Sequence, residues 1–133
     1  MNYRLLQVAA QVSVLAVALL GASSTLHAHH GYSVYDLKKT ATLNGTIASF
    51  DWDNPHCLIH IDVMAENGQI QHWTLELPSP FTMTRKGWAK DSLKPGDQAT
   101  VETHPARNGA AIGITGTSNG IMKVVVNGKT LSE

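Results

Sequence analysis

The stretch from Cys57 to Leu77 constrains the fold most, because it reads as two strands whose connecting loop can be tested against the hydrophobic pattern. Cys57-Leu58-Ile59-His60-Ile61-Asp62-Val63 alternates strictly, with Cys57, Ile59, Ile61 and Val63 on one face and Leu58, His60 and Asp62 on the other. Glu66-Asn67-Gly68 fits a three-residue hairpin loop with Gly68 left-handed, and Ile70 to Leu77 supplies the return strand. Pairing Ala65 with Gln69 sets Ile61 opposite Trp73, Ile59 opposite Leu75 and Cys57 opposite Leu77, all on the apolar face. On the polar face Asp62 meets His72, His60 meets Thr74 and Leu58 meets Glu76. A two-residue Asn-Gly turn would shift the pairing by one and set His72 against Val63, so the pattern selects the longer loop.

Upstream, Ala41 to Trp52 reads as a long curved strand with Leu43, Ile47 and Phe50 as core contacts and Gly45 as a bulge or bend. Ser79-Pro80 starts one short helix running to Trp88, with Ser79 as N-cap and Pro80 at the first helical position. Leu93-Lys94-Pro95-Gly96-Asp97 is a turn, Gln98 to His104 a fourth strand, and Ala110 to Thr117 a fifth after the turn at Pro105 to Gly109. Ile121 to Val126 with the Asn127-Gly128 turn adds a last strand or continues the fifth. The order β-β-β-α-β-β predicts a mainly all-β fold: a small five- to six-stranded barrel of the oligonucleotide/oligosaccharide-binding (OB) type, with one short helix after strand three.

Composition bounds the rest. The 133 residues carry 10 Lys plus Arg against 10 Asp plus Glu, which gives no electrostatic footprint for nucleic acid and leads to the expectation of no nucleic-acid partner. The single cysteine, Cys57, excludes an internal disulfide and any Cys-X-X-Cys motif, and its place in the alternation makes it a small buried hydrophobe. Arg4, the apolar run Leu5 to Leu20 and the mainly small residues from Gly21 to Ala28 read as a secretory signal peptide over 1–28, cleaved after Ala28. The apolar run is shorter than the roughly 20 residues of a spanning helix and is interrupted by Gln7, Gln11 and Ser13, so no stable membrane anchor is expected after cleavage. Residues 29–133 are then a single exported, periplasmic domain, a monomer or weak dimer.

Six histidines remain in that domain: His29, His30, His56, His60, His72 and His104. If His29 is the mature terminus, its amine and imidazole together chelate a metal, and another imidazole completes a three-nitrogen site suited to Cu(II). His56, in Asn54-Pro55-His56, is the candidate third ligand, with His30 as a further ligand and Asp36 supplying an oxygen or orienting a ligand. The plain alternative for His29-His30 is a solvated terminus. A second constellation, His60, Asp62, His72, Glu76 and Trp88, is the candidate ligand-binding face, against the plain reading of solvated polar residues on a hairpin. Ser79 is better explained as a helix cap than as a nucleophile, and nothing marks a substrate cleft, so no enzyme is expected.

Taken in order, several motifs form a specific set. They are His29-His30-Gly31-Tyr32-Ser33 soon after a signal, Leu43-Asn44-Gly45-Thr46-Ile47, Trp52-Asp53-Asn54-Pro55-His56, and Trp73 with Glu76. Ser79-Pro80, Arg85-Lys86-Gly87-Trp88 and Leu93-Lys94-Pro95-Gly96-Asp97 continue the set. Together they resemble a family of small exported bacterial proteins of unknown function, from His29 to about Gly128. The family's usual opening, His-His followed by Ser and an aromatic residue, is interrupted here by Gly31-Tyr32. The resemblance implies a periplasmic setting and a small β-barrel, without an activity. Two functions follow as expectations: a carrier or sensor that binds copper through His29, His56 and His30, or a metal-free module that binds a small ligand or a periplasmic protein.

Overall fold

The computed structural model describes residues 31–132, so residues 1–28, expected as a signal peptide, and the pair His29-His30 lie outside the described residues. A 3₁₀ turn at Tyr32–Val34 precedes β1 (Ala41–Asp51), β2 (Leu58–Met64), β3 (Ile70–Glu76), a helix α1 (Pro80–Arg85), β4 (Gln98–Pro105), β5 (Ile112–Ile114), β6 (Val124–Val126) and β7 (Lys129–Ser132). β1 is long enough to serve two partners: Gly45 to Asp51 pair with β2, and Ala41 to Thr46 pair with β4. β3 pairs parallel with β5, and β5 pairs antiparallel with β4. The circuit β1-β2-β3-β5-β4-β1 closes a five-stranded barrel of the OB type, with β6 and β7 added beside β4.

The hairpin register is the one the alternation selects. Ile61 lies opposite Trp73, Ile59 opposite Leu75, Asp62 opposite His72 and His60 opposite Thr74. Ala65 N–H donates to Gln69 O at 2.9 Å, closing the three-residue loop with Gly68 at φ +80°. Cys57, Ile59, Ile61, Leu75 and Leu77 are fully buried, and burial pushes the Cys57 thiol up to about 11, with the charge of Asp53 adding to the effect. Gly45 is where β1 passes from one partner to the other: a Cβ there would sit 2.2 Å from the Asp62 carbonyl oxygen. The bulge itself lies further on, between Ile47 and Ser49.

Three elements depart from expectation. The helix ends at Arg85 rather than Trp88, because Gly87 turns left-handed at φ +83°. Gly87 N–H donates to Thr84 O and Trp88 N–H to Met83 O, a Schellman closure that folds Trp88 into the core beside Phe50, with ring centroids 6.2 Å apart. The fifth strand is only three residues long: Thr115 N–H still donates to Glu76 O of β3, and the chain then turns at Thr117–Gly120. Beyond Val126, Asn127 (φ 49°) and Gly128 (φ 80°) form a turn with positive φ at both central positions, which folds β7 back on β6 as a seventh strand.

Candidate functional site

Glu76 ends β3 on the outward side of the alternation, between inward-facing Leu75 and Leu77. It is reached from the far end of the described chain. Asp36 N–H donates to Pro105 O and Arg107 N–H donates to Val34 O, so residues 34–36 run beside the end of β4 and carry Tyr35 into a buried position. From there the Tyr35 hydroxyl donates to Glu76 Oε2 at 3.0 Å. Burial pushes Tyr35 up to about 12, with the Glu76 charge and the hydrogen bond adding to it, so the phenol stays protonated and serves as a donor. The other carboxylate oxygen, Oε1, faces His56 Nδ1 at 3.4 Å, an ion-pair distance looser than a formed charge-assisted hydrogen bond. Tyr32, Pro55, His56, Glu76, Pro78 and Ser79 are among the residues lining a cleft of about 230 Å³.

The chain Tyr35–Glu76–His56 has the form in which a carboxylate orients a ligating imidazole: Glu76 addresses Nδ1 and leaves Nε2 for a metal or a ligand. His56 is half-exposed, so Nε2 is within reach of an incoming group. Among the described residues no three His, Cys, Asp or Glu side chains converge as a metal site. Asp36 is engaged elsewhere: its carboxylate faces Lys39 Nζ at 3.8 Å and Arg107 Nη1 at 3.7 Å and accepts from Lys38 N–H.

The second constellation divides. His72 Nδ1 contacts Asp62 Oδ1 at 2.6 Å on the exposed side of the hairpin. His60 is held at both ring nitrogens, by Asp51 Oδ2 at 3.0 Å and Thr74 Oγ1 at 3.1 Å, which leaves it no lone pair for a ligand. Glu76 stands four residues beyond His72 on β3 and belongs with Tyr35 and His56 instead. Trp88 does not line this face; it is 4% exposed in the core, for the helix-closing reason given above. Tyr35 carries no sequence signal because it sits in a polar stretch with no periodicity, and strand alternation alone places Glu76 on the face of His72. Among the described residues no helix is long and apolar enough to cross a membrane.

A family model described as "Family of unknown function (DUF6152)" matches residues 16–117. No curated protein matches the chain. Similar solved structures include two crystal structures, in the same crystal form, of one protein, the mitochondrial single-stranded DNA-binding protein Rim1 of S. cerevisiae, one of them selenomethionine-labelled. They are 12% and 13% identical, with TM-scores of 0.46 and 0.47, each covering 67% of this chain and 93% of that chain. The expectation of no nucleic-acid partner is not upheld: a balanced net charge does not by itself exclude nucleic acid, and these two neighbours, alike in fold alone, are described as single-stranded DNA-binding proteins.

Proposed function

The chain belongs to this family of unknown function, and we propose that it is an exported carrier or sensor that holds one copper ion at the Tyr35–Glu76–His56 cleft, without enzymatic activity. The observation that carries the reading is that Tyr32, two positions after His30, lines the same cleft as His56 and Glu76. At about 3.5 Å of reach per residue, His29 and His30 are tethered within a few residue lengths of the His56 ring. Cleavage after Ala28 exposes the His29 amine, and that amine, the His29 imidazole and His56 Nε2 make a nitrogen set suited to Cu(II), with His30 as a further donor. Glu76 then fixes the His56 ring and contributes a negative charge, and Tyr35 holds Glu76 in place.

The test is a competition titration with Cu(II) on chain purified from the periplasm, its terminus established by intact mass. One copper per chain starting at His29, with affinity falling at least tenfold in the double variant His29→Ala/His30→Ala and in His56→Ala, is the expected result. Equal affinity in all three proteins, or a different mature terminus, overturns the reading.

A further inference from the structure

A second histidine is prepared as a ligand at a different place. His104, near the end of β4, contacts the Lys39 carbonyl oxygen through Nδ1 at 2.6 Å. A carbonyl only accepts, so Nδ1 carries the proton, and Nε2 keeps its lone pair in the neutral ring. His104 pairs with Ile114 across β4 and β5. The return segment is pinned alongside by Met122 N–H donating to Thr115 O at 2.7 Å and Glu102 N–H donating to Lys123 O at 2.9 Å. These contacts bring His104, Ile114, Ile121 and Met122 to the wall of one cleft of about 350 Å³. No carboxylate lines it.

We propose that His104 Nε2 and Met122 Sδ hold a soft monovalent cation, Cu(I), in this cleft. The donor chemistry selects the ion: a thioether and a neutral imidazole suit Cu(I), whereas a hard divalent cation finds neither oxygen charge nor enough ligands. The unbranched methionine side chain has three rotatable bonds with which to close on an ion bound at His104, and the isoleucines limit competing water. The site shares no ligand with the His56 cleft and stands whether or not that cleft binds copper.

The experiment uses full mature chain with His29→Ala and His30→Ala, which removes both terminal imidazoles, titrated anaerobically with Cu(I) against bicinchoninate. The expected result is one Cu(I) per chain, a shift of the Met122 ε-methyl resonance on loading, and at least a tenfold loss of affinity in both Met122→Leu and His104→Asn. The asparagine amide still reaches the Lys39 carbonyl in place of Nδ1, so His104→Asn removes the ligand while keeping the structural contact, and an unchanged thermal midpoint verifies it. Failure of this double variant to compete for Cu(I), an unmoved Met122 methyl at saturation, or further variants that bind as tightly as it does overturns the proposal.

Discussion

The Tyr35 hydroxyl donates to Glu76 Oε2 at 3.0 Å across 41 positions of sequence, fastening the first described segment to the last residue of β3. Tyr35→Phe removes only that hydroxyl. A hydrogen bond to a carboxylate contributes somewhat more than a neutral one, so the variant is expected to lose about 1–2 kcal/mol in urea denaturation. No change in the urea midpoint would mean that the bond does not contribute to stability.

Alkaline pH tests the same contact from the other side. Tyr35 is raised to about 12 and Cys57 to about 11, each above its ordinary value of 10.0 or 9.0. A raised acid binds its proton more tightly in the folded state, so its contribution is complete below the ordinary value and is lost as pH rises through the folded one. Stability should therefore fall from about pH 9 to 12, and Tyr35→Phe should flatten the part above pH 10. An equally steep fall in the variant would assign the alkaline limb to other groups. Over the same range Cys57 should react with a thiol reagent only on unfolding.

Glycine substitutions separate rigid from yielding contacts. At Gly45 a Cβ meets the Asp62 carbonyl oxygen at 2.2 Å and its carbon at 3.0 Å, both backbone atoms, while at Gly113 it meets the side chain of Thr103, whose Oγ1 is 2.2 Å away. Gly45→Ala is expected to cost about 3 kcal/mol or more, because only movement of β1 from β2 relieves it. Gly113→Ala should cost less and be partly rescued by Thr103→Ala. Comparable thermal midpoints for the two alanine variants would contradict this ranking.

Alternation carried the hairpin because one face is buried, and a slip of one residue would have exposed Ile59, Ile61 and Leu75 together. Capping chemistry likewise located the helix start at Ser79, whose Oγ accepts from Thr82 N–H. What sequence did not disclose was pairing between remote segments. Glu76 meets His56 and Tyr35 through barrel closure, and Gly113 in β5 lies close under Thr103 of β4, neither of which leaves a local periodic mark. The Asn127-Gly128 signal was visible, but the strand after it, Lys129–Ser132, is too short and too polar for alternation to reveal.

That last hairpin is clamped by one side chain. Asn127 Oδ1 accepts from Gln98 N–H at 3.0 Å, and its Nδ2 donates to Asp97 Oδ1 at 2.9 Å. The Asn127 contact, then the Lys94 N–H, hold the Asp97 carboxyl below the ordinary carboxylate range. A lowered acid contributes above its ordinary value and loses that contribution as pH falls through the folded one, so the clamp should weaken in acid. Asn127→Gly keeps the positive φ and removes both side-chain contacts. Amide exchange in β6 and β7 should accelerate in this variant at neutral pH, and a wild-type exchange pattern would show that the clamp is dispensable.

Thr103 and Thr115 are fully buried, and their Oγ1 atoms have no hydrogen-bond partner among the described residues. Extending the His104–Ile114 pairing by one step sets the two residues opposite each other, just beyond the end of the β4–β5 ladder. A buried hydroxyl left unpaired forfeits its hydration without return, while valine fills nearly the same volume and keeps the β-branch suited to a strand. Thr103→Val and Thr115→Val should each raise stability by about 1 kcal/mol in urea denaturation. A loss of similar size would mean that the hydroxyls bond to water or to each other in solution. Because the two sites are adjacent, the double variant should fall short of the sum if one hydroxyl already relieves the other, and reach it if both are unpaired.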